Sequence, residues 1–134
     1  MFSTLGEHAA LWLAMGVAGS LVDASRRREW LRAAAVVGAT YGANTALKFV
    51  IRRRRPQLDG LPPLVSTPTH FSFPSAHAST SFCAARQYAR LGVPAVPLNV
   101  VAAAMAVSRL YLGVHWPTDI AAGAALGNAI GAGA

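Results

Sequence analysis

The chain has 134 residues, 54% of them hydrophobic and only 13% charged, with a net charge of +7 from 12 Lys and Arg against 5 Asp and Glu. Ordinary soluble domains carry roughly a quarter charged residues, so this balance is that of a small membrane protein, and the length fits a single domain, 1–134. In a soluble chain the positive excess would suggest nucleic acid. Here the basic residues cluster at the ends of apolar runs, as Arg26-Arg27-Arg28 and Arg52-Arg53-Arg54-Arg55. That placement suits lipid headgroups, topology signals or a phosphate site, and sets nucleic acid aside. The single cysteine, Cys83, excludes an intrachain disulfide and reads as a buried structural thiol.

Five apolar segments follow in chain order. The first covers about 5–22. Its leader "MFSTLGEH" carries Glu7 and no Lys or Arg, so it lacks the basic start of a signal peptide and reads as a retained first helix. The second covers about 30–51 and stops at "RRRRP". Gly38 and Gly42 in "GATYG" suggest close helix contact there.

Between the second and third segments lies "PQLDGLPPLVSTPTHFSFP", whose prolines and Gly60 exclude a regular helix. A loop this long in so small a chain is expected to be functional and to cover what the helix ends build. His70 within it reads as an ordinary loop histidine. The third segment begins at Ser75 and is polar through "HASTSFCAARQYAR", which places it inside the bundle. The fourth covers about 94–112, with Pro97 in its first turns. The fifth begins at Pro117, a residue suited to a helix N-terminus, and runs to Ala134.

Each segment is roughly 17 to 23 residues, near the ~20 needed to span hydrocarbon, and the period-2 alternation of a barrel is absent. The expected fold is all-α: a polytopic transmembrane bundle of about five helices with its active site at one membrane face. In the fifth segment Gly123, Gly127 and Gly131 recur every fourth residue, and Asp119 and His115 continue the stripe. Such a face lets helices approach closely. It turns His115 and Asp119 inward, and it would also serve a homo-oligomer. The segment stops at Ala134 with no basic flank, which leaves a longer natural tail open.

In an up-down bundle the end of the second helix, the start of the third, the end of the fourth and the start of the fifth share one side. Lys48, Arg55, Ser75, His77, Arg109, His115 and Asp119 all fall at those ends. The types fit phosphoryl transfer. Lys48, Arg55 and Arg109 supply fixed positive charge, and guanidinium forks match phosphate oxygens. Ser75 and the first free N–H groups of the third helix offer an anion cradle. His115 and Asp119 lie on one helical face. The carboxylate can hold one imidazole nitrogen and leave the other as nucleophile, while His77 can protonate the leaving group and then activate water. Taken alone, His115 reads as a packed histidine, Asp119 as a helix-dipole partner and Arg52-Arg53-Arg54 as a headgroup anchor. Only that last reading is kept.

The blocks "KFVIRRRRP", "PSAH" and "SRLYLGVHWPTD" resemble the signature of the type 2 phosphatidic acid phosphatase superfamily: K-x6-R-P, P-S-G-H and S-R-x5-H-x3-D. They cover 48–119, just over half the chain. The one departure is Ala76, where the signature has Gly. Ala suits the first turn of a helix, whereas a position of positive φ or closest approach to phosphate would resist the methyl group.

The resemblance implies metal-independent, cofactor-free dephosphorylation through a phosphohistidine. His115 would be the nucleophile, Asp119 its orienting carboxylate and His77 the acid and then base. Lys48, Arg55, Ser75 and Arg109 would bind phosphate. The blocks look most like the actinobacterial branch that includes decaprenylphosphoryl-phosphoribose phosphatases, which implies a polyprenyl-linked phosphate such as decaprenylphosphoryl-5-phosphoribose and a role in cell-wall precursor synthesis. Undecaprenyl diphosphate, phosphatidic acid and phosphatidylglycerol phosphate are the alternative substrates. A vanadium haloperoxidase-like enzyme and an inactive lipid-binding subunit rank below them.

The expected location is a bacterial plasma membrane, crossed several times. Arg26, Arg27, Arg28, Arg32, Arg86 and Arg90 lie at one set of helix ends. At the other, Lys48, Arg55 and Arg109 have a chemical reason to be present. Discounting them, the positive-inside rule puts the catalytic face and the N-terminus outside the cytoplasm.

Overall fold

The computed structural model describes residues 9–134, so the expected first-helix start at Leu5, and Glu7, lie outside the described residues. Among the described residues five α-helices follow in order: α1 (Ala10–Val22), α2 (Arg27–Ile51), α3 (Ala76–Ala89), α4 (Ala95–Tyr111) and α5 (Pro117–Gly133), with a 3-10 turn (Ala24–Arg26) leading into α2. No strand occurs among the described residues beyond two isolated bridges in the α2–α3 loop, Arg54 with Phe71 and Leu58 with Leu61. The all-helical expectation holds.

Local chemistry explains the helix ends. Ser75 is the N-cap of α3, its hydroxyl accepting from the Ala78 N–H at 3.4 Å. Pro117 takes the first position of α5, where its missing N–H costs nothing. Two residues on, the Asp119 carboxylate turns back to accept the Trp116 N–H at 2.8 Å. At the far end of α2, Arg52 adopts φ 54 and turns the chain out of the helix.

Helix α3 is the centre. It packs against α2, α4 and, most extensively, α5. The glycine stripe makes that last seam: a Cβ on Gly123 would lie 2.5 Å from the Ser75 carbonyl oxygen, one on Gly127 would collide with the Ser79 carbonyl, and one on Gly131 would lie 3.1 Å from the Cys83 carbonyl. That face is therefore packed inside the bundle. The expectation for α2 needs correction. Gly42 has no neighbour within 4 Å of an added Cβ, and Gly38 meets only Leu13 at 3.9 Å. The close approach is made by the α1 glycines instead, with Gly16 against Ala34 and Gly19 against the Trp30 ring.

The interior combines a hydrophobic cluster around Trp12, Trp30, Val37 and Tyr88 with small polar side chains, while many large aliphatic side chains lie outside. Ser79, Ser81, Thr40 and Asn44 are fully buried, whereas Val17, Leu21, Val50, Val96 and Val100 are exposed on the outer surface. The buried groups are paired: Trp12 Nε1 donates to Ser81 Oγ (2.9 Å), Ser79 Oγ to Asn44 Oδ1 (3.1 Å) and Thr40 Oγ1 to Cys83 Sγ (3.2 Å). Cys83 is the buried thiol expected. Segment lengths depart from expectation. Among the described residues one helical stretch, Ala24–Ile51, is long and apolar enough to cross a membrane; Ala10–Val22 and Ala95–Tyr111 are apolar but shorter. At 14 residues α3 falls short as well, because the prolines preceding Ser75 and the turn at Gly92 confine it.

Candidate active site

The ends of α2, α3, α4 and α5 meet at one end of the bundle around a cavity of about 70 Å³, lined by Lys48, Arg55, His77, Arg109 and His115 together with Tyr41, Thr45, Ala76 and Val114. That volume holds a handful of water-sized groups. Thr67, Pro68 and Thr69 of the long loop close one side, as expected of that segment. His70 is exposed, and its carbonyl accepts the Arg55 N–H.

His115 is fixed from both sides. Its Nδ1 lies 3.3 Å from Asp119 Oδ2, and its Nε2 lies 3.3 Å from Arg55 Nη1. With the proton on Nδ1 toward the carboxylate, Nε2 carries the lone pair and Arg55 donates to it. Asp119 is fully buried and His115 is 6% exposed. Burial pushes the His115 pKa down to about 4; the bond to Asp119 opposes this, and Arg55 and Lys48 add to it. The imidazole is therefore neutral near pH 7, the form a nucleophile needs. Arg55 is anchored by Nη1 to the Val114 carbonyl (2.8 Å) and by Nε to the Thr69 carbonyl (2.9 Å). Burial lowers its pKa too, with Asp119 acting in the opposite sense and Arg109 in the same one; a guanidinium stays charged regardless.

His77 comes from the first turn of α3. Its Nε2 is buried with no hydrogen-bond partner among the described residues. Buried polar atoms are almost always paired, so an imidazole nitrogen left open in a cationic cavity is a mark of a site. Arg109, from the last turn of α4, is 4% exposed.

Two expected phosphate contacts stand differently. The Lys48 ammonium lines the cavity, yet it also donates to the carbonyls of Phe71 (3.4 Å), Ser72 (3.0 Å) and Pro74 (2.7 Å), drawing the loop end against α2. Ser75 is fully buried behind the cavity wall, where it caps α3 and donates its N–H to the Asp119 carbonyl at 3.0 Å. Ala76 opens α3 in helical conformation and lines the cavity, so its methyl group is accommodated.

Sequence reasoning missed Arg53. It was expected to be a headgroup anchor, but its Nη1 lies 3.1 Å from Asp119 Oδ1 and 2.6 Å from Thr118 Oγ1. Four consecutive arginines hide which one turns inward. The left-handed Arg52 decides it.

Comparisons with known proteins give the family and its relatives. The model of the PAP2 superfamily matches residues 29–134. A decaprenylphosphoryl-5-phosphoribose phosphatase of Mycolicibacterium smegmatis is 44% identical over 90% of this chain and 67% of its own length. One from Mycobacterium tuberculosis is 41% identical over 97% of this chain and 73% of its own. Phosphatidylglycerophosphatase B of Bacillus subtilis is 34% identical over 75% of this chain and 55% of its own. Among solved structures, the transmembrane PAP2 type phosphatidylglycerolphosphate phosphatase of Bacillus subtilis superposes with a TM-score of 0.63 at 28% identity. It covers 88% of this chain, which in turn spans 62% of that one. With a family match over most of its length and phosphatases as its relatives, the chain is a phosphoric monoester hydrolase that belongs to the PAP2 superfamily.

Proposed function

We propose that this chain is a single membrane-embedded domain that hydrolyses a polyprenyl-linked phosphate monoester, of the decaprenylphosphoryl-5-phosphoribose kind, through a phosphohistidine. The observation that carries the proposal is the pairing of two imidazoles in one cationic cavity: His115 held between Asp119 at Nδ1 and Arg55 at Nε2, and His77 with a buried, unpartnered Nε2.

His115 Nε2 attacks phosphorus, and the bond to the ester oxygen breaks. His77 delivers the proton that the leaving alkoxide needs. Water, deprotonated by His77, then attacks the phosphohistidine; the P–N bond breaks, inorganic phosphate leaves and both histidines return to their first state. Asp119 stabilises the charge that develops on His115. Arg55, Arg109 and Lys48 stabilise the phosphoryl oxygens, with Ser75 and the α3 N-terminus behind them.

The large aliphatic side chains exposed on the outer surface, such as Val17, Leu21, Val50, Val96 and Val100, support several crossings of a bacterial plasma membrane. Arg26, Arg27, Arg28 and Arg90 at the end away from the cavity favour a site outside the cytoplasm. The names of the two mycobacterial relatives favour the polyprenyl substrate, and that of the Bacillus relative makes phosphatidylglycerol phosphate the comparison substrate.

The test is phosphate release by purified protein from decaprenylphosphoryl-5-phosphoribose, phosphatidylglycerol phosphate and phosphatidic acid, with EDTA present. The expected result is EDTA-resistant release, fastest from the polyprenyl substrate and abolished in His115→Ala. Activity surviving in that variant removes the phosphohistidine, and a preference for phosphatidylglycerol phosphate moves the substrate to the alternative.

A further inference from the structure

Three contacts converge on the Asp119 carboxylate. Oδ2 takes His115 Nδ1 at 3.3 Å and the Trp116 N–H at 2.8 Å, and Oδ1 takes Arg53 Nη1 at 3.1 Å. The same guanidinium reaches Thr118 Oγ1 at 2.6 Å and lies 5.5 Å from the centre of the Trp116 ring. Its backbone is held as firmly. The Arg53 carbonyl accepts the Ser72 N–H at 2.8 Å, and the next carbonyl, of Arg54, accepts Trp116 Nε1 at 3.1 Å. The segment after α2 is thus fastened to the first turn of α5 at the residue that holds His115.

We propose that Arg53 is a positioning residue: it fixes the rotamer of Asp119 and balances its charge, and so sets both the orientation and the basicity of His115. The inference rests on the reading of His115 as nucleophile. Two physical effects follow from the geometry. A carboxylate tied by Oδ1 to a guanidinium cannot swing away from the imidazole. A cation beside the carboxylate also weakens its pull on a proton at His115, which keeps the ring neutral. Lys48 from α2, Arg55 from the loop, His77 from α3 and Arg109 from α4 face the same pair. Arg53, unlike these four, bonds the carboxylate from the solvent side, with 38% of its side chain exposed.

The experiment compares wild type, Arg53→Met and Arg53→Lys in full-length protein purified in detergent, with two readouts. The first is the titration midpoint of the His115 ring, followed by NMR of 13C-histidine-labelled protein and assigned by His115→Ala. The second is kcat and KM for decaprenylphosphoryl-5-phosphoribose. Arg53→Met is expected to raise the midpoint by roughly one pH unit and to lower kcat by about 10- to 100-fold, the range seen when an outer partner of a metal-bound imidazole is lost, with KM within about twofold. Arg53→Lys keeps the charge but loses the fork, so its midpoint stays near wild type while kcat falls severalfold. It also serves where the Met variant does not fold. An unchanged midpoint and kcat in Arg53→Met, or an equal midpoint shift in both variants, overturns the proposal. Should His115→Ala retain activity, the phosphohistidine falls instead, and the titration still reports on the Arg53–Asp119 pairing.

Discussion

At the end of the bundle away from the cavity, Arg26 pairs with the exposed Glu29 at 2.7 Å and reaches the carbonyls of Leu91 and Arg90, while Arg90 donates to the carbonyls of Ala132 and Ala134. These cations close helix C-termini and stay in contact with solvent, where an ion pair contributes little. At the cavity end Lys48 and Arg109 are at most 6% exposed, Arg55 is half-buried, and one buried carboxylate, Asp119, stands among them. Cations gathered away from water repel one another and are costly without an anion. Arginine-rich helix ends can therefore look alike in composition and differ in burial, which marks the cavity end as the candidate anion site.

The comparison is broken most directly by exchanging the treatment of its two ends. Arg109→Met is expected to lower kcat about 10²- to 10³-fold, the usual cost of removing one donor to developing charge, while Arg90→Met leaves phosphate release within about twofold. Equal losses would mean that burial does not distinguish the ends.

A smaller effect tests the seam that carries both histidines. Gly127→Val places side-chain atoms against the Ser79 backbone, an overpacking expected to cost about 2 kcal/mol or more. That lowers the melting temperature by roughly 5 °C or more, and activity falls with it because α3 and α5 lose registry. A stable, active variant would show that the seam can open without cost.

The smallest effect is in the pH profile. His115 is held down to about 4 from an ordinary 6.5, so its neutral form persists as pH falls and is lost only below about 4. After correction for the second ionisation of the substrate phosphate, near 6, the acid limb of kcat/KM is expected at about 4. A limb at 6.5 would show that the imidazole is not desolvated. The same shift makes the unfolded chain bind more protons between pH 4 and 6.5, so stability falls as pH drops through that window.

The residues of the candidate site were largely legible in the sequence because helix ends carry their own markers. Pro117 opens α5, Ser75 caps α3, and the four-residue spacing of Asp119, Gly123, Gly127 and Gly131 identifies one packed face. Directions taken after a helix stops were not legible. Nothing in "RRRRP" shows that the left-handed Arg52 swings Arg53 onto Asp119. Periodicity also could not show that Lys48 grips three backbone carbonyls, nor that Gly42 faces no neighbour while Gly16 and Gly19 do. Such contacts depend on chain path and on the partner helix, and neither is written in a one-dimensional pattern.

The grip of Lys48 on Phe71, Ser72 and Pro74 bears on what a substrate must do on arrival. An ammonium has three hydrogens set in three directions, and here they draw the distal end of a long proline-rich loop against α2 from within. Closing such a loop carries an entropic cost that grows only slowly with its length. That cost is met during folding, by a residue of the chain itself. An incoming phosphate meets walls already standing, so its interaction energy is not diverted into assembling them and remains available to the reacting centre.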